Sequence, residues 1–274
     1  MTSPAAARWT TGPGAFWAAH DDRYEASLRP FTAHLLDGAR IGPGHRVLDV
    51  GCGCGGTTRD AARRAAGGSV LGLDLSAAMV VRARERTAAE GPPNATFEIA
   101  DAQEVDLAGA GYDAVISRMG VMFFDDAAAA FSVLAAALRP GGRLAFACWR
   151  ERDRNPARTV PADALAPWVE PKPPAAPGEP GAFSLADPDR VRALLTGAGL
   201  VDIRLEPLAE PILLGADAED AASFLLAELR ADHGTPVPAE AAAALRAALV
   251  PYETGDGVLL GSAAWLVTAR RPGG

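Results

Sequence analysis

Cysteine is scarce in this 274-residue chain, and lysine occurs once. The three cysteines, Cys52, Cys54 and Cys148, form an odd set, which argues against a disulfide framework. Cys52 and Cys54 make a C-x-C pair, but the paired clusters typical of a zinc site are missing and only His45 lies near in sequence. We therefore predict that the chain binds no metal.

Positive charge is also limited, because the chain has 26 basic residues and 34 acidic ones. The net charge of −8 and the lack of a basic stripe make nucleic acid a poor substrate candidate. No run of about 18 apolar residues is available for a membrane helix, and residues 1–30 hold no apolar run resembling a signal peptide. We expect a cytoplasmic monomer or homodimer without a nucleic-acid or membrane partner.

The chain does have a regular alternation of short apolar runs and helical segments from Arg46 to Arg150. The apolar runs predict strands at 45–51, 69–75, 95–102, 112–119 and 143–149. The segments between them predict helices at 57–66 with Thr57 as N-cap, at 76–91 between Ser76 and Gly91, and at 125–142 ending at Pro140-Gly-Gly. This order indicates βαβ units and a parallel sheet covered on both faces.

The alternation is interrupted after residue 150. Eight prolines lie between Pro156 and Pro180, which predicts that 151–186 contains neither a regular helix nor a central strand. The remaining pattern predicts a helix at 187–200 capped by Asp187, a strand at 201–208, two helices within 217–250, and a hairpin or one long strand at 257–271.

Glycines after the first predicted strand indicate a nucleotide-type cofactor. Gly51, Gly53 and Gly56 satisfy G-x-G-x-x-G, and Asp74 follows at the spacing of a ribose-binding acid. A strand, a glycine turn and a helix N-terminus present free backbone N–H groups, so this pattern alone leaves a dinucleotide open.

Two further acids favour a different ligand. Asp49 stands two residues before Gly51, where a dinucleotide-binding strand normally has an apolar side chain. A carboxylate at that point suits a ligand with a cationic ammonium group rather than a phosphate. Asp101 ends the third predicted strand and adds a second acid at the same edge of the sheet.

Five segments, in order, resemble the motifs of the class I S-adenosylmethionine-dependent methyltransferases. They are RVLDVGCGCGG (46–56), LGLDLS (71–76), IADAQ (99–103), YDAVISRMGVMFF (112–124) and LRPGGRLAF (138–146). The SRMGVMFF portion and the segment 12–31 resemble a bacterial subgroup that acts on small molecules. Cys54 stands where threonine is common, a departure of little consequence because the neighbouring backbone does the binding.

The resemblance implies a Rossmann-like, doubly wound α/β fold of seven strands, mostly parallel with one antiparallel, plus helical and loop insertions that form a lid. It divides the chain into an N-terminal helical cap (1–44), a cofactor-binding core (45–150), and lid insertions with the C-terminal completion of the same domain (151–274). We expect 151–186 and 211–256 to cover the acceptor site and to move on binding. Passive surface loops are the alternative.

For the cofactor S-adenosylmethionine and its product S-adenosylhomocysteine, the resemblance implies a site built from backbone and acids. Asp74 would accept from the ribose hydroxyls, and Asp101 from the adenine amino group. The full predicted set is Asp49, Gly51, Cys52, Gly53, Asp74, Leu75, Asp101, Ala102, Gln103, Ser117 and Arg118. For Arg118, a structural ion pair is an equal alternative.

The acceptor site lies outside the shared motifs, at the carboxyl ends of the strands. The candidate acceptor contacts are Trp17, Met119, Met122, Phe123 and Trp149, with Arg152 beside them. His20 and Tyr24 are the candidate catalytic residues, and the ordinary pKa of histidine suits His20 to act as a general base. A solvated position on a helix face is the alternative for His20, as burial in the core is for Trp17 and Phe123.

The function implied is methyl transfer to a small, largely apolar molecule of specialised metabolism, on oxygen, nitrogen or carbon. One alternative is an enzyme of the same fold that binds S-adenosylmethionine without transferring methyl, such as a cyclase or a decarboxylase. Another is an NAD-dependent reductase, which Asp49 and the fourth motif disfavour.

Overall fold

The computed structural model describes residues 7, 9–169, 179–233 and 237–273. The helices are α1 (Gly12–Ala19), α2 (Asp21–Ala39), α3 (Gly56–Arg64), α4 (Ala77–Glu90), α5 (Ala127–Ala137), α6 (Pro156–Leu165), α7 (Pro188–Gly197), α8 (Ala218–His233) and α9 (Ala239–Leu249). The strands are β1 (Arg46–Val50), β2 (Ser69–Asp74), β3 (Ala95–Ile99), β4 (Tyr112–Arg118), β5 (Leu138–Trp149), β6 (Val201–Leu208), β7 (Pro211–Gly215), β8 (Glu253–Thr254), β9 (Gly257–Gly261) and β10 (Ala264–Arg270).

Seven strands form the main sheet in the order β3-β2-β1-β4-β5-β10-β6. The pairs among β1 to β5 are parallel, whereas β10 runs antiparallel to both β5 and β6. The predicted seven-stranded sheet with one antiparallel strand is therefore confirmed. Because β1 to β5 are parallel, their carboxyl ends meet at one edge of the sheet, where ligands of open α/β sheets bind.

Alternate residues of the central strands face two separate apolar layers. Val47 of β1 and Ile116 of β4 pack in one cluster with residues of α2 and α3. Leu48 and Val115 pack in the other, which includes residues of α5 and α7. The sheet is thus covered on both faces, as its apolar strands require.

The segment 257–271 is neither a hairpin nor one long strand, so that prediction is wrong. β9 pairs with β7 and β8 in a second, three-stranded antiparallel sheet, and β10 enters the main sheet. The two residues between these strands are held from elsewhere in the chain: Ser262 Oγ donates to the carbonyl of Glu210 (2.7 Å), and the Ala263 N–H donates to Asn155 Oδ1 (2.9 Å). These hydrogen bonds fix the two residues at which the chain passes from the second sheet into the main sheet.

The prediction that 151–186 contains no regular helix is also wrong, because α6 lies within it. Pro156 occupies the first turn, where a backbone N–H has no helical partner to lose. Pro161 lies inside the helix, whose start is anchored by the fully buried Asn155 through a 2.9 Å bond from Nδ2 to the Glu151 carbonyl. Residues 170–178, which include four of the prolines, lie outside the described residues.

Two helix boundaries differ from prediction and two caps are confirmed. α3 begins at Gly56 after Gly55, so Thr57 is not the N-cap. α5 ends at Ala137, and β5 already includes Pro140-Gly-Gly. The side chains of Ser76 and Asp187 accept from backbone N–H groups and cap α4 and α7 as predicted. The division of the chain at residues 44 and 150 stays a prediction.

Candidate active site

A cavity of about 490 Å³ opens at the edge of the main sheet where β1, β2 and β4 end. Its volume falls in the range of about 300–1,000 Å³ that is typical of small-molecule sites. The predicted cofactor residues that line it are Gly51, Cys52, Gly53, Asp74, Leu75, Asp101, Ala102, Gln103 and Arg118. Asp49 and Ser117 do not line it, and each is only 1% exposed. The Ser117 hydroxyl instead accepts the Gly120 N–H at 3.3 Å.

Three backbone N–H groups of the glycine loop after β1 donate hydrogen bonds to residues of β2. The N–H groups of Gly51 and Cys52 donate to the carbonyl of Leu73 at 2.9 and 3.0 Å, and the Gly53 N–H donates to Asp74 Oδ2 at 2.8 Å. Gly51 has φ +67°, and a Cβ there would lie 3.0 Å from the Cα of Gly120. Glycine at position 51 therefore serves a left-handed turn and a close approach to the loop after β4.

The N-terminus of α3, where a dinucleotide would place its pyrophosphate, is covered by a carboxylate. Glu25 of α2 lies directly against Gly56 and forms two bonds with Arg118, Oε1–Nη1 at 3.0 Å and Oε2–Nη2 at 2.6 Å. Burial opposes ionisation of Glu25, but the Arg118 guanidinium outweighs it and holds the pKa of Glu25 below its usual value. An anion is disfavoured beside this carboxylate, which argues against an NAD-type cofactor.

Two carboxylates on the cavity wall are pre-oriented by short-range bonds. Asp74 accepts from the N–H groups of Gly53 and Ser76, at 2.8 and 2.9 Å. Burial raises the pKa of Asp74, and these backbone donors oppose the rise. Asp101 accepts from the N–H of Gln103 at 2.8 Å. Both carboxylates keep lone pairs available to donors such as hydroxyl or amino groups of a ligand.

Asp49 lies behind the glycine loop and is almost unexposed. Its Oδ2 accepts the Thr58 hydroxyl at 2.6 Å, while Oδ1 has no partner among the described residues. Burial raises the pKa of Asp49 to about 7, and the Thr58 hydrogen bond and the charge of Arg118 oppose the rise. An isolated buried carboxylate of this kind is costly to ionise and is stabilised by a nearby cation.

The raised pKa of Asp49 predicts a pH dependence of stability. Since the folded pKa of about 7 lies above the unfolded value, the folded protein holds an extra proton between about pH 4 and pH 7. Asp49 therefore lowers the free energy of unfolding progressively as pH rises through that window. We expect Asp49→Asn to be more stabilising, relative to the unsubstituted protein, at pH 8 than at pH 5, in urea unfolding. An equal effect at the two pH values would show that Asp49 titrates normally.

Comparison with known proteins identifies the family. A family model described as "Methyltransferase domain" matches residues 47–142. Nocamycin O-methyltransferase of Saccharothrix syringae is 31% identical over 203 residues, which cover 71% of this chain and 72% of that protein. The chain belongs to the class I S-adenosylmethionine-dependent methyltransferases. An uncharacterized protein of Mycobacterium bovis is 36% identical over 143 residues, 52% of this chain, and the chain spans about half (49%) of its length.

Solved structures agree with this fold. The YcgJ protein from Bacillus subtilis has a TM-score of 0.61 at 18% identity, covering 90% of this chain and 100% of that one. The [4+2]-cyclase SpnF has a TM-score of 0.54 at 21% identity, covering 89% and 81%. At these identities the likeness shows the fold alone, and proteins of different reaction class share it.

The cofactor of this methyltransferase is S-adenosylmethionine. The residues of the cavity fit such a group, because the two oriented carboxylates on the wall suit the ribose and adenine donors. Asp49, buried behind the glycine loop with no hydrogen-bond partner for Oδ1 among the described residues, suits a nearby cationic ligand. None of the helices among the described residues is long and apolar enough to span a bilayer. Within the same residues, no group of three or more His, Cys, Asp or Glu side chains is arranged to hold a metal ion.

Aromatic, methionine and aliphatic side chains also form part of the cavity wall. All five predicted acceptor contacts line it: Trp17, Met119, Met122, Phe123 and Trp149. Trp17 stacks on Tyr24 with ring centroids 3.6 Å apart, and Trp9 contacts Trp17 and Phe123 edge-on. Because these rings pack against one another, they form a continuous, mainly apolar part of the wall against which an acceptor could lie.

The two candidate catalytic residues are placed differently. His20 does not line the cavity, since its ring stacks on Phe16 and its Nδ1 lies 2.8 Å from the Phe16 carbonyl oxygen. Tyr24 does line it and donates to Glu228 Oε1 at 2.7 Å. Burial and then the charge of Glu228 raise the pKa of Tyr24 above its usual value, so its hydroxyl stays protonated.

Several wall residues were missed by sequence reasoning. They are chiefly Trp9, Arg158, Phe183, Phe224 and Glu228. None lies in a shared motif, and most belong to the segments expected to form a lid. A local pattern can indicate that a residue is buried but not which distant residues it contacts, so no local signal could have placed these residues at the cavity.

Proposed function

We propose that this methyltransferase transfers a methyl group to a small, largely apolar molecule of specialised metabolism. The observation that carries the proposal is one cavity whose wall contains both the oriented carboxylates Asp74 and Asp101 and a set of aromatic and methionine side chains. The relative named nocamycin O-methyltransferase supports the acceptor class. The net charge of −8 also disfavours a nucleic-acid acceptor.

In this proposal Asp74 accepts from the ribose hydroxyls and Asp101 from the adenine amino group. The backbone at Gly51, Cys52 and Gly53 supports the ligand by contact, with Leu75, Ala102 and Gln103 beside it. Arg118 acts through its bond to Glu25, which keeps the guanidinium at the wall. Asp49 contributes charge from beneath the loop rather than a direct contact.

The bound cofactor supplies a sulfonium methyl whose departure leaves a neutral thioether, so no general acid is needed. The chain contributes alignment of the acceptor against the apolar wall and exclusion of water, both of which can supply several kcal/mol of barrier reduction. The neutral Tyr24 hydroxyl serves as a hydrogen-bond donor at the wall rather than as a base.

Residues 151–186 and 211–256 are further proposed to cover the acceptor and to close on binding. Arg158 and Phe183 from the first segment and Phe224 from the second line the cavity, which supports coverage. Amide hydrogen exchange in the described parts of both segments should slow when S-adenosylhomocysteine and acceptor are bound together. Identical exchange in the free and ternary states would leave them as passive surface.

The proposed reaction is tested with a panel of small aromatic acids, phenols and amines incubated with S-adenosylmethionine. A product heavier by one methyl group, formed together with S-adenosylhomocysteine, is the expected result. Conversion of a panel member without a mass change would point to the cyclase alternative. Binding of NADH in preference to S-adenosylhomocysteine, or steeply salt-dependent binding of tRNA, would overturn the proposal.

A further inference from the structure

Four arginines follow β5 within nine residues, and they divide into two kinds. Arg150 and Arg154 pair with Glu151, with Nε–Oε2 distances of 3.4 and 3.5 Å, and neither lines the cavity. Arg152 and Arg158 do line it, and neither has an ion pair with any described residue. Two cations at the cavity wall are therefore available to a ligand.

Arg158 is placed beside the groups expected to contact the acceptor. Its guanidinium carbon lies 6.0 Å from the centroid of the buried Trp149 ring. It is also close enough to Tyr24 for its charge to counteract the rise in the pKa of that phenol. An apolar surface next to an unpaired guanidinium fits an apolar molecule with a carboxylate, which an arginine fork binds in a bidentate manner.

The cavity is poor in groups that could take a proton from an acceptor. No histidine among the described residues lines it, and Tyr24 is a neutral donor to Glu228. Of the acids at the wall, Asp21 pairs with Arg82 and Arg86, and Glu25 pairs with Arg118. Glu228 already accepts the Tyr24 hydroxyl, and Asp74 and Asp101 are assigned to the cofactor in the proposed function. A hydroxyl or ammonium acceptor would need to lose a proton here, whereas a carboxylic acid is already ionised at neutral pH.

We propose that the acceptor is an apolar carboxylic acid, held through its carboxylate by Arg158 and Arg152 and methylated on oxygen, which rests on the proposed methyl transfer. One carboxylate oxygen forms a bond to the methyl carbon while the carbon–sulfur bond breaks and its electron pair stays on sulfur. A sulfonium and a carboxylate become a thioether and a methyl ester, and no proton moves. Because charge disappears along this path, the apolar part of the cavity wall favours the reaction.

The test measures binding of phenylpropionate and naphthylacetate, and of their primary amides, to protein saturated with S-adenosylhomocysteine, by titration calorimetry. Each acid should bind at least about tenfold more tightly than its amide, as expected for a charge-assisted hydrogen bond. Arg158→Gln should reduce that ratio to below about threefold, and Arg152→Gln with Arg158→Gln should abolish it. Arg154→Gln, on the same segment but off the cavity, should leave it unchanged.

Three results would overturn the inference: no binding of either acid up to its solubility limit, equal binding of acid and amide, or an acid preference that survives the double substitution. Binding of S-adenosylhomocysteine is measured first in every variant. If the unsubstituted protein fails to bind it, the proposed function itself is wrong. If it binds but shows no acid preference, the carboxylic acid assignment alone fails. Incubation of the same acids with S-adenosylmethionine should give methyl esters that release methanol in mild base.

Discussion

Asp74→Ala should weaken binding of S-adenosylhomocysteine by about 1.5–3 kcal/mol, roughly tenfold to more than a hundredfold in dissociation constant. The substitution removes the acceptor proposed for the ribose hydroxyls. It also removes the carboxylate that holds the Gly53 N–H at 2.8 Å, so the glycine loop loses a fixed point at the cavity wall. Titration calorimetry at constant pH measures the change directly.

Asp106→Ala is the matched control for that experiment. Asp106 also accepts a backbone N–H, that of Ala108 at 3.1 Å, but it is exposed and does not line the cavity. Its substitution should leave the affinity unchanged. Asp74→Asn keeps one acceptor oxygen and should fall between the two. If Asp74→Ala binds the ligand as tightly as the Asp106 variant does, Asp74 does not contact it.

Glu25→Ala should lower the free energy of unfolding by about 3 kcal/mol, since it leaves the Arg118 guanidinium buried without its carboxylate. This is the lower end of the range for a broken buried pair, because the Arg118 side chain is 11% exposed and that of Glu25 24%. The Thr32 hydroxyl, 2.7 Å from Arg118 Nη1, remains as a weaker acceptor. Urea unfolding with an unchanged m-value would measure the loss.

Two comparisons keep the Glu25 prediction specific. Glu85→Ala breaks an exposed contact of 3.7 Å with Arg82 and should cost about 1 kcal/mol or less. Removing both partners, with Arg118→Met added to Glu25→Ala, should recover part of the loss, because no buried charge is then left unpaired. A loss no larger than that of the Glu85 variant would mean that water solvates Arg118 adequately.

The Glu25 contribution also has a defined pH range. The folded pKa of Glu25 is depressed by Arg118, so the stabilisation is fully present above the unfolded value of about 4.3. It is lost as pH falls through the folded pKa, whereas Asp49 opposes stability as pH rises toward 7. Below about pH 4 the contribution of Glu25 makes the free energy of unfolding rise with pH, and above about pH 4 the contribution of Asp49 makes it fall with pH.

The parallel strands β1 to β5 followed from local patterns in the sequence, whereas the seven-stranded sheet and the cofactor site at its edge were implied by the resemblance to the methyltransferase family. Short apolar runs separated by helical segments predict parallel strands, and Asp74 and Asp101 come where their strands end or just beyond. Parallel strands bring those ends to one edge. The helix at Pro156–Leu165 was missed because proline frequency alone does not distinguish the first helical turn, where proline is tolerated, from the interior.

The amino-acid sequence by itself determined the five parallel strands, the glycine loop and the acids at the cavity wall, because neighbours in the chain create them. Only the tertiary structure decided the partners of the charged and aromatic groups. Arg118 meets Glu25 from 93 positions away, and Tyr24 meets Glu228 from 204 positions away. Such pairings depend on how α2 packs against the main sheet and how α8 packs against α1 and the second sheet. The periodicity within a helix does not indicate which distant residues it will contact. For the same reason, only the folded chain shows that Arg158 lies at the cavity wall and that His20 does not.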